Sequence, residues 1–162
     1  MKKKLRILVL LHPDLLPPDS LKGHSDKDIN VWKTEYDVVS TLRAAGHEVL
    51  VATPGGKEAA NAGLHVVDTA PGVDIGAVFQ QAASEQPEEF DYSTDVDTEK
   101  GLEFVGAIFA KLSGVSVDLT VSAAESLRPD VVVYSSMEGT GPLVAAKLGV
   151  PAVSHGFGFG DE

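Results

Sequence analysis

Ser135-Ser-Met-Glu-Gly-Thr-Gly141 packs three hydroxyls, one carboxylate and two glycines into seven positions, one residue after the apolar run Val131-Val-Val133. A carboxylate there can move a proton, and the glycines let backbone N–H groups approach a ligand closely. His12 stands in the same relation to an earlier apolar run, Leu5 to Leu11. In an open α/β sheet, ligands bind beyond the carboxyl ends of the strands. His12, Ser135, Ser136, Glu138, Gly139 and Gly141 are therefore the candidate ligand-binding residues, and the helix start at Gly139 to Leu143 is a candidate anion nest. The remaining histidines, His24, His47, His65 and His155, are scattered, with no H-x-x-x-H pair to hold zinc. His47, in Gly-His-Glu at a helix-to-strand junction, reads as structural. No metal, cofactor or catalytic residue is assigned. There is no G-x-S-x-G elbow, no Walker A loop and no G-x-G-x-x-G fingerprint. Pro54-Gly-Gly-Lys57 opens a helix and is a second place where an anion could sit. Gly156-Phe-Gly-Phe-Gly160 has glycine at every second position but no helix after it.

The elements that position these residues read as one α/β domain over residues 1–162. Leu5 to Leu11 is a first strand, buried on both faces. His12 to Gly23 is a proline-broken loop. Ser25 and Asp28 form an N-cap pair for a helix whose face is Val31, Val38, Val39, Leu42 and Ala45, and Gly46 ends it. Val49 to Thr53 and Leu64 to Asp68 are strands two and three, with a short helix, Lys57 to Ala62, between them. Ile75 to Ala83 is a further helix, and the acidic stretch from Gln86 to Asp97 is an exposed loop. Leu102, Val105, Phe109 and Leu112 mark the next helical face. Gly114 is read as a break before a second stretch, Val117 to Ser126. A strand, a helix at Leu143 to Leu148 closed by Gly149, and a strand opened by Pro151 complete the order. The expected fold is α/β, a three-layer Rossmann-like sandwich with a mostly parallel sheet.

Composition narrows the partners. The 162 residues carry a net charge of −11, and they include no cysteine. Nucleic acid would be repelled, and disulfides and thiolate chemistry are excluded. Unbroken apolar runs are too short to cross a bilayer. The expectation is a cytoplasmic chain with a small-molecule partner, no nucleic acid and no membrane; the oligomeric state is left open.

Leu127-Arg-Pro-Asp-Val-Val-Val-Tyr134 followed by Glu138-Gly-Thr-Gly-Pro-Leu143 and Ala145-Ala-Lys-Leu-Gly-Val-Pro-Ala-Val-Ser-His-Gly156 resembles the end of the N-terminal, acceptor-binding domain of GT-B natural-product glycosyltransferases. Arg43-Ala-Ala-Gly-His-Glu-Val49 and Ala62-Gly-Leu-His-Val-Val67 are similar to its earlier junctions, so the resemblance covers about Leu42 to the end. It implies an acceptor site on this domain and a nucleotide-sugar donor site on a second one. It also implies a base histidine after strand one in a G-H-x-x-P context. Gly23-His24 lacks that proline, and His12 lies in a different loop. The family's partner carboxylate often follows the V-V-V-Y strand, where this chain has Ser135 and Ser136, with Glu138 the nearest acid. Residues 1 to about 41, through Leu8-Val-Leu-Leu-His-Pro-Asp14 and Trp32-Lys-Thr-Glu-Tyr36, instead resemble the N-terminal lobe of D-alanine–D-alanine ligase-like proteins. That second resemblance implies a ligand-facing role for Glu35. The two together point to an engineered or recombined chimera, with a divergent natural glycosyltransferase domain as the alternative. The functional expectation is a non-catalytic half-domain, lacking a donor domain and therefore not turning over alone. The alternative is an acceptor-binding module that works with a separate donor domain.

Overall fold

The computed structural model describes residues 3–55, 65–85, 99–135 and 138–156. Within them the elements run β1 (Arg6–Leu10), a 3-10 turn (Pro13–Leu15), α1 (Asp26–Ala44), β2 (Glu48–Thr53), β3 (Val66–Asp68), α2 (Ile75–Ser84), α3 (Glu99–Leu127), β4 (Val131–Ser135), α4 (Thr140–Leu148) and β5 (Ala152–His155). The strands form one sheet in the order β3-β2-β1-β4-β5, and every pairing is parallel. This is the expected α/β Rossmann-like architecture, with β1 at its centre. Ile7 to Leu11 are all buried, as a run apolar on both faces requires.

Alternate residues of each strand feed two cores. Ile7, Val9, Leu11, Val51 and Val133 face α1, where Val39 fills the centre and Val38 and Leu42 pack around it. Leu8, Leu10, Ala52 and Val132 face Ala124 of α3 and Val144 and Ala145 of α4. A third, smaller core joins Ala82 of α2 to Phe104 and Ile108 of α3. The Ser25 hydroxyl accepts from the Asp28 N–H to cap α1, and Gly149 closes α4 at φ +67°. His47 is structural, as expected: its Nδ1 accepts from the Leu5 N–H at 3.1 Å, tying the start of β2 to that of β1.

Three local expectations are corrected. On α1, Val31 is 46% exposed instead of packing in the core, and its neighbour Trp32 sets its ring edge-on against His24 with centroids 5.1 Å apart. The sheet is shorter than the helix, so the first turns of α1 overhang it. On α3, Gly114 makes no break; the helix runs unbroken from Glu99 to Leu127. One interior glycine costs about 1 kcal/mol, less than a 29-residue packed helix recovers. The buried stripe of α3 is Phe104, Ile108, Ser116, Thr120 and Ala124, and Leu102 is 69% exposed. Ser116 and Thr120 hide from a hydrophobicity reading because their hydroxyls donate back to the Ser113 and Ser116 carbonyls, which lets them be buried. Gly101–Leu127 is also long and apolar enough to cross a membrane by length and composition, at a mean hydropathy of 1.5, which counting unbroken runs missed. The short helix expected at Lys57 to Ala62, residue Leu64 of strand three and the acidic stretch 86–97 lie outside the described residues.

Candidate functional site

Strand order runs outward in both directions from β1, so the chain reverses between β1 and β4. Such a switch point leaves a crevice beyond the carboxyl ends of the two strands. His12 follows β1 and Glu138 follows β4. Together with Pro54, Ile75, Leu112 and Ser113 they line one gap of about 10 Å³. His12 is held by the turn it caps: its Nδ1 accepts from the Asp14 N–H at 3.3 Å, and the Asp14 carboxylate stands 3.7 Å away. Burial lowers the His12 pKa, against a smaller opposing pull from Asp14. Glu138 is 9% exposed, and its burial raises the carboxyl to about 7. A buried carboxyl perturbed by desolvation, in a crevice with a histidine, is the arrangement expected of an acid–base site.

The other expected residues divide. Gly139 caps the start of α4 against α3; a Cβ there would meet the Ser113 hydroxyl at 2.7 Å. Gly141 is a packing glycine, since a Cβ would collide with the Tyr134 ring at 2.4 Å. Its N–H is also spent on the Glu138 carbonyl at 3.2 Å, and Pro142 has no N–H to offer. The anion nest expected at this helix start therefore has two of its donors removed. Ser135 is buried, on the same face of the sheet as Val133, and is not among the residues that line the gap. Ser136 lies outside the described residues, as do Gly56 and Lys57 of the Pro54 turn and residues 157–160 of the glycine-alternating segment.

Sequence reasoning missed the larger part of the site. A groove of about 470 Å³ runs between α3 and α4, lined almost wholly by carbon. Gly106, Ala110 and Gly114 recur every four residues on α3 and form its floor, with Phe109 and Val117 beside them and Pro142 and Leu143 opposite. A Cβ at Gly106 or Gly114 would meet nothing within 4 Å, so these glycines face open space. Ser113 lines both the groove and the His12–Glu138 gap, so one residue borders the two. The signal in the sequence was the four-residue spacing of small residues, read instead as a helix break.

The profile of the N-terminal domain of erythromycin biosynthesis protein CIII-like proteins matches residues 40–161. The chain belongs to this family. A relative, the elloramycin glycosyltransferase ElmGT of Streptomyces olivaceus, is 38% identical over 119 residues, 73% of this chain and 31% of the relative. Among solved structures, the glycosyltransferase SnogD of Streptomyces nogalater is 33% identical with a TM-score of 0.64, covering 95% of this chain and 34% of its own. The glycosyltransferase SsfS6 of Streptomyces sp. SF2575 is 29% identical with a TM-score of 0.66, covering 94% and 39%. The chain thus spans about a third of the length of the glycosyltransferases it matches, and it corresponds to an EryCIII-like N-terminal domain. The likeness in structure extends over nearly the whole chain, the first forty residues included at the level of fold. The family profile itself begins at residue 40, and neither comparison supports a ligase-like origin for the residues before it.

Proposed function

We propose that this chain is the acceptor-binding part of a natural-product glycosyltransferase, seating an apolar, hydroxyl-bearing small molecule in the groove between α3 and α4. The observation that carries the reading is the apolar groove of about 470 Å³, which shares Ser113 with the His12–Glu138 gap. An apolar body lying along Gly106, Ala110 and Gly114 directs a polar end toward the acid–base pair. Apolar lining with a few convergent polar groups suits a small-molecule site. The proposed partners are such an acceptor and a nucleotide-sugar donor domain, with no nucleic acid and no membrane. Glycosyl transfer joins two substrates, and holding both supplies much of its rate. The chain by itself is accordingly expected to bind an acceptor without releasing nucleoside diphosphate from a nucleotide sugar.

The test is a titration of the chain with 4-methylumbelliferone, read by amide shifts. Saturable shifts at Gly106, Gly114 and Leu143 are expected. Gly106→Leu and Gly114→Leu should abolish them while raising the melting temperature, because leucine fills the groove and is the better helix former by about 1 kcal/mol. Unchanged binding in both variants would overturn the assignment.

A second reading starts from the family profile beginning only at residue 40. In it the chain is a chimeric, non-catalytic scaffold that keeps the fold without the acceptor site. No saturable binding across a panel of aromatic alcohols, nucleotide sugars and ATP would support it.

A further inference from the structure

The edge of the sheet opposite the crevice is basic, in a chain whose net charge is −11. Lys3 and Lys4 precede β1, Arg6 opens it, Arg43 lies in the last turn of α1, and Arg128 follows α3. All five are exposed at the amino ends of the strands. Lys3 is taken by the Asp130 carboxylate, at 3.3 Å. Lys4, Arg43, His47 and His65 instead converge on a pocket of about 320 Å³, backed by Val49 and Leu50. They come from the entries to β1, β2 and β3 and from the end of α1, so only the folded sheet gathers them. His47 Nδ1 accepts from the Leu5 N–H, and a ring nitrogen that accepts is bare, so neutral His47 carries its hydrogen on Nε2. That N–H is a donor held in place by the joint between β1 and β2. The Arg43 guanidinium gives one hydrogen to Asp19 at 2.7 Å and keeps other donors of its fork. Lys4 has no ion-pair partner among the described residues. Glu48 is the acid in this lining.

A second hollow, of about 500 Å³, shares Leu50 and Leu127 with the first and lies between α3 and the β2–β3 edge. Its α3 wall extends from Leu127 back to Leu119, about 12 Å of helix. Ser122 and Ser126 stand on that wall, but their hydroxyls donate to the Asp118 and Ser122 carbonyls and add little polarity to it. Leu119 is 43% exposed. Asp68, the last residue of β3, lines the other end, its Oδ1 accepting from the Gly55 and Ala70 N–H groups. Cations and N–H donors thus stand where the strands begin, a carboxylate stands where β3 stops, and carbon lies between. That polarity orients an occupant, with an anionic head at the amino edge and an apolar body along α3.

We propose that this edge binds a small amphipathic carboxylate, its head among Lys4, Arg43, His47 and His65 and its chain over Leu50, Leu127 and Leu119. The site is at the opposite ends of the strands from the acceptor groove and stands whether or not that groove is occupied. Surface ion pairs contribute little and buried methylenes much, so the chain supplies the affinity and the head supplies the direction.

The experiment titrates octanoate into the full chain, with butanoate, octanol and inorganic phosphate alongside, and follows amide shifts. Saturable shifts are expected at His47, Leu50, His65 and Ser126. Octanoate should bind more tightly than butanoate, by up to about fourfold per methylene, and more tightly than octanol. Lys4→Glu is expected to weaken octanoate about fivefold and to leave octanol unchanged. Glu48→Gln should tighten octanoate, because it removes the opposing charge, and Leu119→Asn should weaken octanoate and octanol alike. All three side chains reach solvent, and melting temperatures equal to the parent's confirm that the variants are folded. Octanol binding as well as octanoate, or phosphate matching it, overturns the amphipathic carboxylate. Shifts confined to Gly106, Gly114 and Leu143 would place octanoate in the α3–α4 groove and overturn the site, as would the absence of saturation.

Discussion

At the residue scale, the two buried glutamates oppose stability in the ionised state. Glu138 has its carboxyl raised from 4.5 to about 7 by burial. Its neutral form is favoured in the folded chain, so its contribution is fully present below about pH 4.5 and is lost as pH rises through about 7. Glu138→Gln should match the parent near pH 4.5 and exceed it by up to about 3 kcal/mol above pH 8. Urea unfolding across that range checks the crossover; a constant difference would show that the carboxyl is not desolvated. Glu35, on the buried face of α1, is 1% exposed, and its Oε2 has no hydrogen-bond partner among the described residues. Desolvation raises its pKa, against a smaller effect from its own backbone. One turn along α1 from Val39, it occupies a position where an apolar side chain would fit. Glu35→Met is expected to stabilise the chain at pH 8 by about 1–3 kcal/mol, since it removes an unpaired polar group from the interior. Thermal melts of the variant decide this, and a lower melting temperature would reveal a partner for that carboxylate.

At the element scale, helix docking is set by single contacts. Val39 is the one fully buried aliphatic side chain that α1 places against Ile7, Val9, Leu11, Val51 and Val133. Val39→Asp should lower stability by several kcal/mol, roughly 3 or more, by burying an unpaired charge, and Val39→Ala by roughly 2. Equilibrium denaturation distinguishes the two, and equal, small effects would mean that α1 is loosely seated. On the opposite face, α4 lies directly on the Tyr134 ring because Gly141 lacks a side chain. Gly141→Ala forces that ring aside and is expected to cost about 1–3 kcal/mol. In a double-mutant cycle with Tyr134→Ala, most of the penalty should vanish, since the clash is between those two residues.

At the scale of the whole molecule, protection should fall from the centre of the sheet outward. The β1 amides, paired on both sides and buried on both faces, are expected to exchange only with global unfolding. Those of β5, where Val153 is 49% exposed at the sheet edge, should exchange at least tenfold faster. Native-state hydrogen exchange measures both, and equal protection would mean that the β5 edge is covered in solution. Local signals already marked the five strands in chain order, the parallel class of the sheet and the burial of β1 on both faces. Those signals are the apolar run at Leu5 to Leu11, the Ser25 cap, the glycine stops at Gly46 and Gly149, and the Val131-to-His155 unit. The sequence also named His12 and Glu138, because both stand after apolar runs where an α/β sheet exposes its strand ends. The buried face of α3 became visible once the helix was seen packed on its neighbours. Ser116 and Thr120 satisfy their own hydroxyls within the helix, and no hydrophobic pattern records that. The groove likewise exists only once α4 lies beside α3, turning three small residues on a helix into the floor of a cavity. His12, held by a backbone N–H two residues on, and Glu138, its pKa set by packing, are more than a hundred residues apart. Their shared gap arises because the chain reverses between β1 and β4, a long-range fact that no local stretch of sequence contains.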